Sequence, residues 1–356
     1  MTKEWVMTGG FPDVELRVKQ PRIGDGVRIA PGTVIVADEL VLGDGAVVEA
    51  GCDLRSARIV LAAGAQVGAG SRVLAADGVA LGEGTRMDSG ADVVCRELTV
   101  GAGTYIGSRW RVGAGATMEE RSLVVVGDDC QIAPHVTFNA TEPITIGSSV
   151  GISAEVAIIT HGYHAGHAMR DGHTAVFDGV VVEDGVWLGF RTTVLPGVRI
   201  GSGTLVAATA TVTASVPAGV LAAGVPARVK RTLEPRALDD LRRRQAVSAL
   251  VDDWVRRLAY KGLEVSCDAD GVWSVTNGSG GPWRVRPAGP YGMLEVCVDS
   301  PSGVVVFDFG EPLGLRGELD AVTHDLRDFC RRRTWSFPYH RNSVGLMPER
   351  FARLLN

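Results

Sequence analysis

The sequence predicts a mainly β fold: a parallel β-helix built from six-residue units, followed by a smaller α+β domain. Three observations carry this. An aliphatic residue returns at every sixth position through Val182, Leu188, Val194, Ile200, Val206 and Val212. The same rule recurs upstream, restarting at Ile23, Leu42, Leu61, Leu81, Val100, Val126 and Ile146. The composition is rich in glycine, with 46 residues, and poor in aromatics, at 6%. No helix has a period of six. Six residues make one short flat strand and a tight turn, and three such sides close a coil. Stacked coils pair their backbones along the array, so only its two ends are open edges. A narrow interior of this kind takes Val, Ile, Leu and Ala but not Trp, and its corners ask for permissive backbone.

The elements follow in order. Residues 1–20 read as an irregular cap, because a terminal repeat must turn one side to water. Residues 21–231 carry the hexads, beginning with I-G-D-G-V-R and I-A-P-G-T-V. Restarts about nineteen residues apart fit three hexads plus an occasional corner residue, and the array amounts to roughly ten coils. Extra sequence around Met118 to Val124 breaks the spacing, and a larger insertion lies between Ile158 and Val182. After Arg231 the pattern changes, and residues 232–356 read as a separate α+β domain. Pro235 opens a helix that Gly262 ends, with Leu238, Leu241, Leu250, Trp254 and Leu258 at near-helical spacing. Five strand-like runs follow, L-E-V-S-C, V-W-S-V-T, P-W-R-V-R-P, M-L-E-V-C-V and V-V-V-F-D-F, separated by Gly- and Pro-containing turns. A second helix reads E-L-D-A-V-T-H-D-L-R-D-F-C-R-R-R.

Composition narrows the class. A chain of 356 residues is long enough for two domains. A net charge of -5 argues against a nucleic-acid surface. The six cysteines form no C-x-x-C pair and read as reduced, mostly buried thiols of a cytoplasmic protein. The first residues lack a basic segment followed by an apolar run, and no stretch is apolar enough to span a membrane.

Residues 144–231 contain I-T-I-G-S-S-V-G-I-S-A-E-V-A-I-I-T-H, G-V-W-L-G, V-L-P-G-V-R-I-G-S-G and A-A-G-V-P-A-R-V. With the hexads, these resemble the hexapeptide-repeat acyltransferases, specifically the maltose, galactoside and xenobiotic acetyltransferase branch. Residues 23–140 share only the repeat, and the last domain resembles no family. The resemblance implies a left-handed parallel β-helix. The hand comes from the resemblance alone, since parallel crossovers in general are right-handed. It further implies a homotrimer with sites between neighbouring prisms, acetyl-CoA or another acyl-CoA as donor, and a sugar or sugar-containing metabolite as acceptor. By the same resemblance His161 falls at the general base, and His135 and Asn139 fall near the acceptor. Gly189, Ala208, Thr213 and Arg228 fall where the pantetheine or the nucleotide phosphates approach. Two positions depart from the pattern: Ala214 stands where a phosphate-reaching Lys is common, and Phe190 stands where the residue is usually small and would narrow the thiol end of the groove.

The chemistry fits. Transfer from a thioester needs a base for the acceptor proton, and an imidazole titrates near working pH. A backbone N–H at a coil corner can hold the oxyanion. His164, within the insertion, is a candidate acceptor contact, and Glu155, Asp178 and Asp184 are candidates to orient His161. No metal is expected. Three other readings compete. His161, His164, His167 and His173 could bind zinc as in γ-class carbonic anhydrases, although the Gly-rich insertion would hold ligands poorly. Arg242 to Arg244 and Arg331 to Arg333 could dock an acidic acyl carrier protein as donor, or the transfer could be to nitrogen. Finally, the β-helix could be a non-catalytic scaffold.

Overall fold

The structure is a computed structural model that describes residues 10–113, 119–162, 172, 175–234, 239–277, 282–288, 294–310, 313–333 and 337. The chain divides into two compact units, the first running to Glu234 and the second starting at Pro235.

The first unit is a parallel β-solenoid of about ten coils. Its three faces follow from the hexad. Val182, Leu188 and Val194 lie on the second, third and first faces in turn, and Ile200, Val206 and Val212 repeat the circuit one coil on. All six are at most 2% exposed. The positions at which the period restarts form one column of register partners, from Ile23 through Leu42, Leu61, Leu81, Val100, Val126 and Ile146 to Val182. Burying one such side chain contributes about 1.5–3 kcal/mol, and the column repeats this in each coil after the first, where Ile23 is exposed.

Polar core residues answer carbonyls of the next coil. Thr104 Oγ1 donates to the Gly127 carbonyl at 2.9 Å, Cys130 Sγ to that of Gly147 at 3.0 Å, and Thr204 Oγ1 to that of Pro217 at 2.8 Å. The six cysteines are all free, and Cys267 is the exposed one. Burial pushes the Cys95 thiol up to about 12 and that of Cys130 up to about 11.

Three features differ from expectation. Strand Glu15–Ile23 already forms the first coil, so residues 15–20 are not an irregular cap. The reason is its alternation: Leu16 and Val18 point inward and are buried. Trp110 is fully buried inside the solenoid, which was expected to exclude it. It takes the corner held by Cys52, Ser71 and Ala91 in earlier coils, and its ring meets Phe138 of the next coil edge-on at 5.4 Å. Such a pair contributes about 0.5–1.5 kcal/mol beyond its buried area. The corner between third and first faces forms a column with φ positive throughout. Gly32, Gly51, Gly70 and Gly90 occupy it in the lower coils, and Arg109, His135, Glu155, Arg191 and Thr209 in the upper ones. Glycine tolerates that conformation, whereas a side chain costs roughly 1 kcal/mol.

The second unit opens with helix α1, Asp240–Tyr260, capped by Asp239, whose side chain accepts from the Arg242 N–H. Leu241 is 63% exposed, so the buried stripe begins only at Val247; Leu238 lies outside the described residues. A six-stranded antiparallel meander follows, its last strand the short Gly314–Arg316 that the sequence pattern did not suggest. Helix α2, Ala321–Arg331, is capped by Asp320. Three indole N–H groups are each held by a carboxylate: Trp254 by Asp325 at 3.0 Å, Trp273 by Asp252 at 3.1 Å and Trp283 by Asp320 at 2.5 Å. Among the described residues, no helix is long and apolar enough to cross a membrane.

Candidate active site

The first-face strand Ala157–Ile159 of the eighth coil leads through the fully buried Thr160 to His161. There the chain leaves the solenoid. His161 and Gly162 pair antiparallel with Val176 and Phe177, so the large insertion returns on a two-stranded stem. The imidazole stacks on the Phe177 ring at 5.7 Å and 15°. His164, His167 and His173 lie outside the described residues. Among the described residues, no group of three or more His, Cys, Asp or Glu is placed to hold a metal ion.

The His161 Nδ1 lies 2.9 Å from Thr141 Oγ1, and that hydroxyl lies 3.4 Å from Asn139 Oδ1. An amide oxygen only accepts. With the Thr141 hydroxyl donating to Asn139, it accepts from Nδ1–H, and Nε2 becomes the basic nitrogen. The turn that holds Thr141 is itself clamped. Thr160 Oγ1 donates to the Asn139 carbonyl at 2.6 Å and accepts the N–H groups of Thr141 and Glu142, each at 3.0 Å. The buried Glu142 then meets Arg121 from the earlier stretch of extra sequence. That hydrogen bond raises the Arg121 guanidinium above its ordinary value. Both departures from the repeat thus leave at the same edge of the solenoid.

The three carboxylates near His161 in sequence have other engagements. Glu155 pairs with Arg191 at 2.7 Å on another edge, Asp184 Oδ1 accepts from Ser148 N at 2.8 Å, and Asp178 Oδ1 accepts from Gly179 N at 2.8 Å. Thr141 escaped sequence reasoning because its contact joins residues 20 apart in different coils.

The other candidate residues fall in two groups. Asn139 and the exposed Thr213 share the edge of His161, Thr213 two coils on. His135 sits at the opposite end of the Asn139 strand, exposed, at φ +63°. It belongs to the same corner column as Gly189, Phe190 and Ala208. At Gly189 a Cβ would come within 2.5 Å of the Ala208 backbone nitrogen, so only hydrogen fits. Phe190 is 41% exposed, with the Arg191 guanidinium 4.9 Å from its ring centroid. Arg228 is exposed on the closing strand Arg228–Thr232. Within one chain, the candidate base and the Gly189–Ala208 corner therefore stand on different edges.

No family model matches the chain. It is similar to the galactoside O-acetyltransferase of Escherichia coli (strain K12), 30% identical over 131 residues, covering 35% of this chain and 64% of that protein. It is similar to the 2,3,4,5-tetrahydropyridine-2,6-dicarboxylate N-acetyltransferase of Staphylococcus aureus (strain JH9), 52% identical over 50 residues, covering 14% and 21%. Among solved structures it is similar to a hexapeptide-repeat containing acetyltransferase from Vibrio cholerae, 32% identical, covering 31% of this chain and 63% of that one, with a TM-score of 0.29. The solenoid part of the chain is similar in sequence to these hexapeptide-repeat and sugar acetyltransferases. The chain spans less than two thirds of the length of these relatives.

The third face of the solenoid adds a feature that sequence reasoning missed. A groove of about 290 Å³ runs across it between Tyr105, Gln131, Pro134, Ser153 and Trp187. Trp187 is 54% exposed and its Nε1 donates to Ser153 Oγ at 3.0 Å. A Cβ at Gly151 would sit 3.3 Å from the indole, so glycine lets the ring lie over the coil below. The only signal was the aromatic in G-V-W-L-G, at an outward hexad position. The basic runs of the second unit are largely neutralised. Arg331 and Arg332 both pair with the buried Asp328, while Arg333 reaches Asp253 at 3.0 Å and covers the Phe329 ring. Arg242 pairs with Asp239 at 3.7 Å.

Proposed function

We propose that the chain is an acyltransferase that moves an acetyl or other short acyl group from acyl-CoA to a hydroxyl of a sugar or sugar-containing metabolite. His161 is the general base. The observation that carries this reading is the imidazole held through Nδ1 by the Thr141 hydroxyl, which sets Nε2 as its basic nitrogen. Nε2 takes the acceptor proton as the oxygen attacks the thioester carbonyl. The tetrahedral oxyanion collapses, the carbon–sulfur bond breaks, and the thiolate leaves with the proton that His161 acquired. Phe177 shields one face of the ring and keeps it from swinging out.

The reading includes a homotrimer. One chain keeps its His161 edge apart from the Gly189, Phe190 and Ala208 corner, and a neighbouring prism can supply the missing side. Free acyl-CoA is favoured over an acyl carrier protein, because the Arg331 to Arg333 run is occupied within its own domain. The reading also places the protein in the cytoplasm, where free thiols such as its six cysteines persist.

The test is thiol release from acetyl-CoA by the full-length protein against a panel of sugars. His161→Ala should lower turnover about 100-fold or more, as expected for loss of a general base. Retention of more than about a tenth of the activity would remove His161 from that role. Calorimetry with acetyl-CoA separates an enzyme from a scaffold, for which no heat of binding is expected.

A further inference from the structure

Nearly every cation of the first unit is matched by a carboxylate. Lys19 meets Asp38, Arg58 meets Glu39, Arg72 meets Asp92, Arg96 meets Asp77, Arg191 meets Glu155 and Arg199 meets Glu183. Among the described residues of this unit, Arg109 and Arg111 are a close-set exception. Arg28 and the terminal run of Arg228, Lys230 and Arg231 are the others.

Arg109 and Arg111 flank Trp110, whose buried ring is braced against Phe138 and so anchors both. His135 follows Arg109 in the corner column, its N–H bonded to the Ser108 carbonyl at 3.0 Å. Thr137 is the register partner of Arg111. Arg109 and His135 are exposed and held at φ +58° and +63°, where the coils below use glycine. Two nitrogen-rich side chains thus occupy a conformation that penalises them and would not penalise glycine. The bordering carboxylates are already taken: Asp92 by Arg72 at 3.0 Å and Glu155 by Arg191 at 2.7 Å. The cluster therefore keeps its positive charge in a chain of net charge -5. Guanidinium forks suit phosphate and carboxylate oxygens, and a nearby imidazole N–H can add a third donor.

We propose that Arg109, Arg111 and His135 form a subsite for an anionic group, phosphate or carboxylate, carried by the acyl acceptor. The proposal rests on acyl transfer at His161. It does not fall to the donor, whose expected contacts Gly189, Ala208 and Thr213 belong to coils farther along the stack. Arg111, Thr137 and Ala157 are successive register partners, and Ala157 precedes His161 by four residues. Two coil spacings and four strand residues put Arg111 and His161 about 16 Å apart along one chain. The acceptor class is thus an extended acidic saccharide or sugar phosphodiester rather than a bare monosaccharide.

The probe is inorganic pyrophosphate, titrated calorimetrically into the full-length protein. Arg109→Gln with Arg111→Gln should weaken it about 10-fold or more and leave acetyl-CoA affinity within about 2-fold. Arg109→Gly and His135→Gly relieve backbone strain, so they should fold at least as stably and still lose pyrophosphate. Four results overturn the subsite: no binding by wild type, equal binding by the variants, parallel loss of acetyl-CoA, or a smaller native mass in the glycine variants. Parallel loss would assign the cations to the donor's phosphates, and a smaller mass to an interface between copies. Pyrophosphate binding needs no turnover. A protein that binds it while His161→Ala stays active would refute the base and keep the subsite.

Discussion

The lower and upper halves of the solenoid obey one repeat and use it differently. In the lower five coils the first two faces form one strand of nine or ten residues, as in Glu15–Ile23 and Arg72–Leu81. Corners there are glycine, and side-chain charges pair between neighbouring coils. Exposed pairs of this kind contribute only about 0–1 kcal/mol each. In the upper five the strands shrink to two to four residues, as in Arg111–Val112 and Leu123–Val126. Both stretches of extra sequence leave from that half, and its corner column carries side chains in place of glycine. Where the repeat is regular, most surface cations meet a carboxylate, Arg28 excepted. Where it is interrupted, His161 begins the stem of the insertion and Arg109 stands exposed in the corner column.

The sharpest way to break this contrast is Trp110→Ala. That ring fills a corner at the start of the upper half, and removing it should cost about 3–5 kcal/mol by urea denaturation. A loss under about 1 kcal/mol would show that the corner collapses as easily as those built on Ser71 or Ala91. Next comes Thr141→Val, which keeps the shape and removes the hydroxyl. Turnover should fall roughly 10-fold with KM unchanged, the pH–rate profile should move, and Thr141→Ser should restore both. An unchanged profile would reduce Thr141 to packing. The smallest effect is a corner exchange. A Cβ at Gly51 would meet nothing within 4 Å, so Gly51→Ala tests conformation alone and should cost about 1 kcal/mol. Thr209→Gly, in the upper column, should gain a similar amount. If both thermal shifts have the same sign, strain is not what separates the halves.

Much of this was readable without coordinates. The period of six put Val182 to Val212 inside, and the restart positions proved to be one column of stacked residues. The two helices of the second unit showed in their spacing, though Leu241 did not join the buried face. What stayed hidden depends on neighbours from other coils. Trp110 looked too large because its fit depends on Phe138, 28 residues on. The sequence offered three carboxylates near His161 and no reason to choose among them, and a hydroxyl one coil below is not visible in it.

Covalent spacing alone determined which side chains face inward, since six residues of strand and turn complete one side whatever the surroundings. Only the stacked structure decided which surface groups meet. Coil length sets that pairing, and it varies: Tyr105 follows its partner Arg86 by 19 residues, while Arg191 follows Glu155 by 36. Insertions change the separation in sequence without changing the strand spacing in space, so residues far apart in the chain still come into contact.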